Sequence, residues 1–84
     1  MAIIDTELEQ QLKAMPNRMV DLIVRTQGDA TPHLGWFASN NVKVRHQYKL
    51  TKSIAITCPG ADALKLLGQN WVVSIEKDAD VGIT

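Results

Sequence analysis

Two segments of alternating polarity, Val42-Lys43-Val44-Arg45-His46-Gln47-Tyr48-Lys49-Leu50 and Ser53-Ile54-Ala55-Ile56-Thr57-Cys58, are separated only by Thr51-Lys52. A period of two sends successive side chains to opposite faces of a strand, and a two-residue connection joins such strands as an antiparallel hairpin. This hairpin constrains the rest of the chain, because its apolar side needs further elements to cover it. Strict alternation puts His46 and Tyr48 on that apolar side, so Tyr48 is expected in the core and His46 as a satisfied or edge histidine.

The flanking segments supply the cover. From Thr6 to Met15, Leu8, Leu12 and Met15 recur at helical spacing, Thr6 and Glu9 form a capping box, and Pro16 closes the helix. Met19 to Thr26 alternates Val20, Leu22 and Val24 against Asp21 and Arg25, a strand with one buried face, with Ile23 interrupting its polar side. Gln27-Gly28-Asp29-Ala30 is turn-like. Thr31 and Pro32 suit the cap and first position of a helix in which Leu34, Phe37 and Ala38 share a face, although Gly35 and Ser39 weaken it. After Pro59-Gly60, residues Ala61 to Gln69 are helical, with Ala63, Leu64 and Leu67 toward the core, and Val72 to Lys77 is the last strand. Trp36 and Trp71 are expected at helix edges or partly exposed, His33 facing water, and Cys58 as a buried small hydrophobe.

Composition excludes several classes of function. A chain of 84 residues is one small domain that buries about 60–65% of its unfolded surface, which makes a deep catalytic cleft hard to build. A formal net charge of zero gives no electrostatic footprint for nucleic acid. Cys58 is the only cysteine, so no internal disulfide is expected, and with two distant histidines it makes a poor start for a metal site. No cofactor is implied. The start, Met1-Ala2-Ile3-Ile4-Asp5-Thr6-Glu7, lacks a long apolar run, so neither a signal peptide nor a membrane span is expected in this chain, and the compartment stays open.

After the leading helix the order is strand, helix, strand, strand, helix, strand. Its most economical packing is an α+β, ferredoxin-like βαββαβ sandwich, a four-stranded antiparallel sheet with two helices on one face and an extra N-terminal helix. The domain is expected over residues 19–78, preceded by helix and linker over 1–18 and followed by a tail over 79–84. Such a sheet leaves one face without helices, and Ile23, Ala55 and one of Val72 or Val73 fall on or near it. The leading helix either covers the edge of the core or acts as a linker.

Several segments together resemble the propeptide, or inhibitor-type prodomain, of subtilisin-like serine proteases. The likeness runs from about Val20 to Thr84 and is strongest in the last third. There a Leu-rich helix leads into Val72, Ile75, Glu76 and Asp78, at the spacing of that family's V-x-x-[VI]-E-x-D strand. Asp21-Leu22-Ile23-Val24-Arg25 resembles its first strand, and the hairpin resembles its middle strands.

This resemblance implies a non-catalytic domain that binds and inhibits a subtilisin-like protease and assists the protease's folding. The free sheet face would lie on two surface helices of the enzyme, with Glu76 and Asp78 at those helices' N-termini, where free N–H groups and the helix dipole favour an anion. Val81, Gly82, Ile83 and Thr84 would enter the substrate cleft as a product-like strand, held by backbone hydrogen bonds. Thr84 departs from the larger apolar final residue common in the family. The free protein is expected to be a monomer that uses neither nucleic acid nor a membrane.

Two other classes compete. A regulatory small-molecule or protein-interaction module on the same fold would carry a glycine-containing ligand loop, for which Gly28 and Gly60 are the candidates, both better explained as turns. An RNA-binding sheet needs exposed strand aromatics in a basic surround, and Tyr48 is the only strand-central aromatic.

Overall fold

The computed structural model describes residues 2–78 and is a mixed α+β domain, the class expected from sequence. In chain order the elements are β1 (Ile3–Ile4), α1 (Thr6–Ala14), β2 (Met19–Thr26), a 3₁₀ turn (Thr31–His33), α2 (Leu34–Ser39), β3 (Lys43–Tyr48), β4 (Ser53–Pro59), α3 (Gly60–Leu66) and β5 (Val72–Lys77). The sheet order is β1-β5-β2-β4-β3. Five strands are present where four were expected, because Ile3 and Ile4 pair in parallel with Ser74 and Ile75. A two-residue strand is too short to leave a periodic signal in the sequence. The β2–β4, β2–β5 and β3–β4 pairs are all antiparallel.

One core unites the elements. Leu22 and Val24 of β2, Ile54, Ile56 and Cys58 of β4, and Val72 and Ile75 of β5 meet Leu8 and Leu12 of α1, Phe37 of α2, and Ala63 and Leu66 of α3. All three helices therefore cover the same side of the sheet. Of the two roles open to the leading helix, it takes the first and covers the core. Its end at Pro16 also completes α3: the N–H of Gly60 donates to the Arg18 carbonyl (3.1 Å) and that of Ala61 to the Pro16 carbonyl (3.0 Å). Free N–H groups at a helix start need acceptors, and here the chain's own loop provides them without a side-chain cap.

Local corrections have physical causes. The cap of α1 is Asp5 rather than Thr6: Asp5 is extended and its carboxylate accepts from the Leu8 N–H at 3.2 Å, a favourable place for a negative charge. The segment from Thr31 is a 3₁₀ turn followed by a short α-helix, and Thr31 does not cap it. Its N–H and hydroxyl instead donate to Asp29 Oδ1 at 2.9 and 2.8 Å, which hold the Asp29 carboxyl below its usual range. Ala38 and Met15 are exposed, and in α3 the fully buried leucine is Leu66, with Leu64 and Leu67 only partly buried. Leu50 lies in the hairpin turn, fully exposed, and Lys52 takes a left-handed conformation (φ 54°) to close it.

Two β-bulges decide which side chains face the helices. In β5 the register with β2 shifts between Arg25/Ser74 and Thr26/Val72, so Val73 has no partner. That extra residue allows Val72 and Ile75, three apart, both to be buried while Val73 is exposed. In β3 the shift falls between Val44 and His46 and leaves Arg45 unpaired. Beyond it the faces exchange: Gln47 pairs with core residue Ile54, whereas His46 and Tyr48 pair with Ala55 and Ser53 on the other side. Tyr48 is thus 44% exposed rather than in the core, and His46 is exposed rather than on the apolar side.

Candidate protein-binding face

Among the described residues no element covers the second face of the sheet. Its central row runs from Glu76 (β5) through Ile23 (β2) and Ala55 (β4) to His46 (β3), each paired with the next. Ser74, Arg25, Ser53 and Tyr48 form the row on one side of it. The row on the other side holds Asp21, Thr57 and Lys43 and is extended at β5 by Asp78, whose N–H donates to the Asp21 carbonyl at 3.1 Å. Ile23, His46 and Tyr48 thus give the face a small apolar and aromatic centre, with Ala55 between them buried, and with His46 and Tyr48 ring centroids 4.4 Å apart in an edge arrangement. Charged residues rim it. An apolar centre inside a polar rim is the layout of a protein contact.

The two expected carboxylates differ in situation. Glu76 is exposed at the end of the central row, beside Ile23. Asp78 is held: Arg45 Nη2 donates to its Oδ2 at 2.7 Å, and the side chain is 22% exposed. The same Nη2 donates to the Ile56 carbonyl at 3.3 Å, and Arg45 Nε lies 3.8 Å from Asp21 Oδ1. Asp21 Oδ1 in turn accepts from the Thr57 hydroxyl at 2.6 Å. The Asp78 contact raises the Arg45 guanidinium's pKa further above its already high ordinary value. Asp21 and Arg45 were not singled out from sequence as site residues, and strict alternation in β3 gave no signal of the bulge that directs Arg45 across the sheet. Val81, Gly82, Ile83 and Thr84 lie outside the described residues.

Elsewhere, His33 stacks on Trp71 (centroids 4.1 Å, planes within 5°), and Trp36 and Phe37 meet Trp71 edge-on at 5.8 and 5.6 Å. This cluster packs α2 against the loop before β5. Beside β1 a groove of about 540 Å³ is lined by Ile3, Ile4, Leu8, Ile75, Glu7 and Glu76 among others. Among the described residues no three His, Cys, Asp or Glu side chains are arranged to hold a metal ion, and no helix is long and apolar enough to cross a membrane.

Comparison with protein-family models, with curated proteins and with solved structures finds no match.

Proposed function

We propose that this chain is a propeptide-like inhibitor of a subtilisin-like serine protease, with a further role in that protease's folding. In this reading β2 to β5 with α2 and α3 form a ferredoxin-like βαββαβ unit, to which β1 and α1 add an edge strand and a further covering helix. The order β5-β2-β4-β3 within the sheet supports it. The observation that carries the function is the uncovered face, where Ile23 is paired with an exposed Glu76 on the strand that leads directly to residues 79–84, and an exposed Tyr48 lies on the same face at β3.

Glu76 then meets the N-terminus of an enzyme surface helix, where free N–H groups and the dipole favour its charge. Val81 to Thr84 occupy the substrate cleft as an added strand. A standard protease–inhibitor contact buries about 1,600 Å², so sheet face and terminal segment must act together. The catalytic residues are the enzyme's.

Titration of a purified subtilisin with the full chain, with a chain ending at Asp80, and with Glu76→Ala tests this. Slowed hydrolysis by the full chain, weakened at least about tenfold in both variants, is the expected result. A full chain that neither slows any subtilisin-like enzyme nor assists its refolding ends the proposal. Equal inhibition by the shortened chain removes the cleft mechanism.

A regulatory small-molecule module is the second reading. The groove beside β1, apolar at Ile3, Ile4 and Leu8 with Glu7 and Glu76 at its side, favours it. Ligand-induced thermal stabilisation lost in Leu8→Ala would support this reading over the first.

A further inference from the structure

Arg45 stands on an edge strand, yet its guanidinium reaches the far side of the sheet. Because it occupies the bulge between Val44 and His46, it is outside the pairing register. From there it contacts the Ile56 carbonyl on β4, Asp21 on β2 and Asp78 just past the end of β5. Four strands are thus joined at one corner by one side chain. Asp78 is also tied to the sheet by its backbone, through its N–H to the Asp21 carbonyl.

The charges explain why the cation is needed there. Asp21 and Asp78 are joined through their backbones across β2 and β5, both carboxylates come within 3.8 Å of the Arg45 guanidinium, and like charges gathered at one corner repel. One guanidinium between them turns repulsion into two attractive contacts, and its planar set of donors serves a carboxylate and a carbonyl together. Without Arg45 the Asp21 carboxylate would still be fixed by Thr57, whereas Asp78 would keep its backbone N–H bond to the Asp21 carbonyl and lose its side-chain anchor.

We propose that Arg45 is a positioning residue that latches Asp78 to the sheet and so fixes the end of β5 in place. Its functional consequence rests on the inhibitor reading: a segment that departs from a fixed point loses less freedom when it docks, and Glu76, two residues earlier, is held in register with it. In this division Glu76 makes the contact with the enzyme, and Asp78 anchors the end of the strand that carries it.

The test measures amide hydrogen exchange at Asp78 in the free full-length protein, and inhibition of a subtilisin, for the wild type, Arg45→Ala, Arg45→Lys and the charge swap Arg45→Asp with Asp78→Arg. In Arg45→Ala, exchange at Asp78 should speed about tenfold while core amides such as Val24 are unchanged, and the inhibition constant should rise about tenfold. The swap should recover most of both, and Arg45→Lys part, since an ammonium lacks the planar fork. The difference from wild type should shrink in 1 M salt, which a purely packing role would not show. Unchanged exchange at Asp78 in Arg45→Ala overturns the latch. Faster exchange with undiminished inhibition overturns its role in binding. A wild type that neither slows any subtilisin-like enzyme nor assists its refolding ends the inhibitor reading, while the exchange result still decides the latch.

Discussion

Gly60, the first residue of α3, approaches Leu12 of α1 so closely that a Cβ built on it would stand 2.9 Å from the Leu12 carbonyl oxygen and 3.1 Å from that of Met15. Both neighbours are backbone atoms, which cannot rotate aside as a side-chain tip can. Gly60→Ala should therefore destabilise the fold by about 1–3 kcal/mol, even though alanine is intrinsically the better helix former. Urea unfolding checks this, and a variant as stable as wild type would show that α1 and α3 are not in this contact.

Leu66 is completely buried, whereas its neighbour Leu67 is only partly so. Leu66→Ala should cost about 2–5 kcal/mol through lost burial and the cavity left behind, and Leu67→Ala about half that or less. Equal losses in chemical denaturation would mean that the helix faces the core at a different angle.

Burial, with the Asp62 carboxylate nearby as the smaller cause, pushes the Cys58 thiol up to about 11 from 9.0. The folded protein keeps its thiol proton where the unfolded chain has released it. The stabilisation is complete below pH 9 and is lost as pH rises from about 9 through about 11. The difference in unfolding free energy between wild type and Cys58→Ala, followed across that range, should shrink toward high pH. A difference that does not change with pH would place the thiol in contact with water.

The face-to-face contact of His33 with Trp71 shields one side of the indole. His33→Ala should expose that ring and shift tryptophan emission to longer wavelength, with a modest loss of stability of about 0.5–1.5 kcal/mol from the missing aromatic pair. An unchanged spectrum and unchanged stability would deny the stack.

Much of this structure is legible in the chain because it depends on local pattern. The span of β2, the hairpin, the burial of Cys58 and the helices around Leu8, Phe37 and Ala63 come from periodicity and from Pro and Gly breaks, which act over a few residues. The features that periodicity misses depend on partners distant in sequence. Residues Ile3 and Ile4 are a strand only because β5 lies beside them. The cap of α3 comes from the carbonyls of Pro16 and Arg18. For the candidate face, Ile23 and Ala55 can be placed by alternation and Glu76 only by the family resemblance, whereas Tyr48 and His46 cannot be placed, since one inserted residue exchanges every side chain after it.

Apolar periodicity selects both an element and its buried face, so the α+β class, most element positions and a polar second side to β2 are already present in the chain. The fifth strand, the two bulges and the choice of which carboxylate is free arise in the folded sheet. Glu76 and Asp78 are two positions apart and indistinguishable in the chain, yet one is exposed and the other bound to Arg45, 33 residues away. Pairing across four strands sets that difference, and it exists only once the sheet has formed.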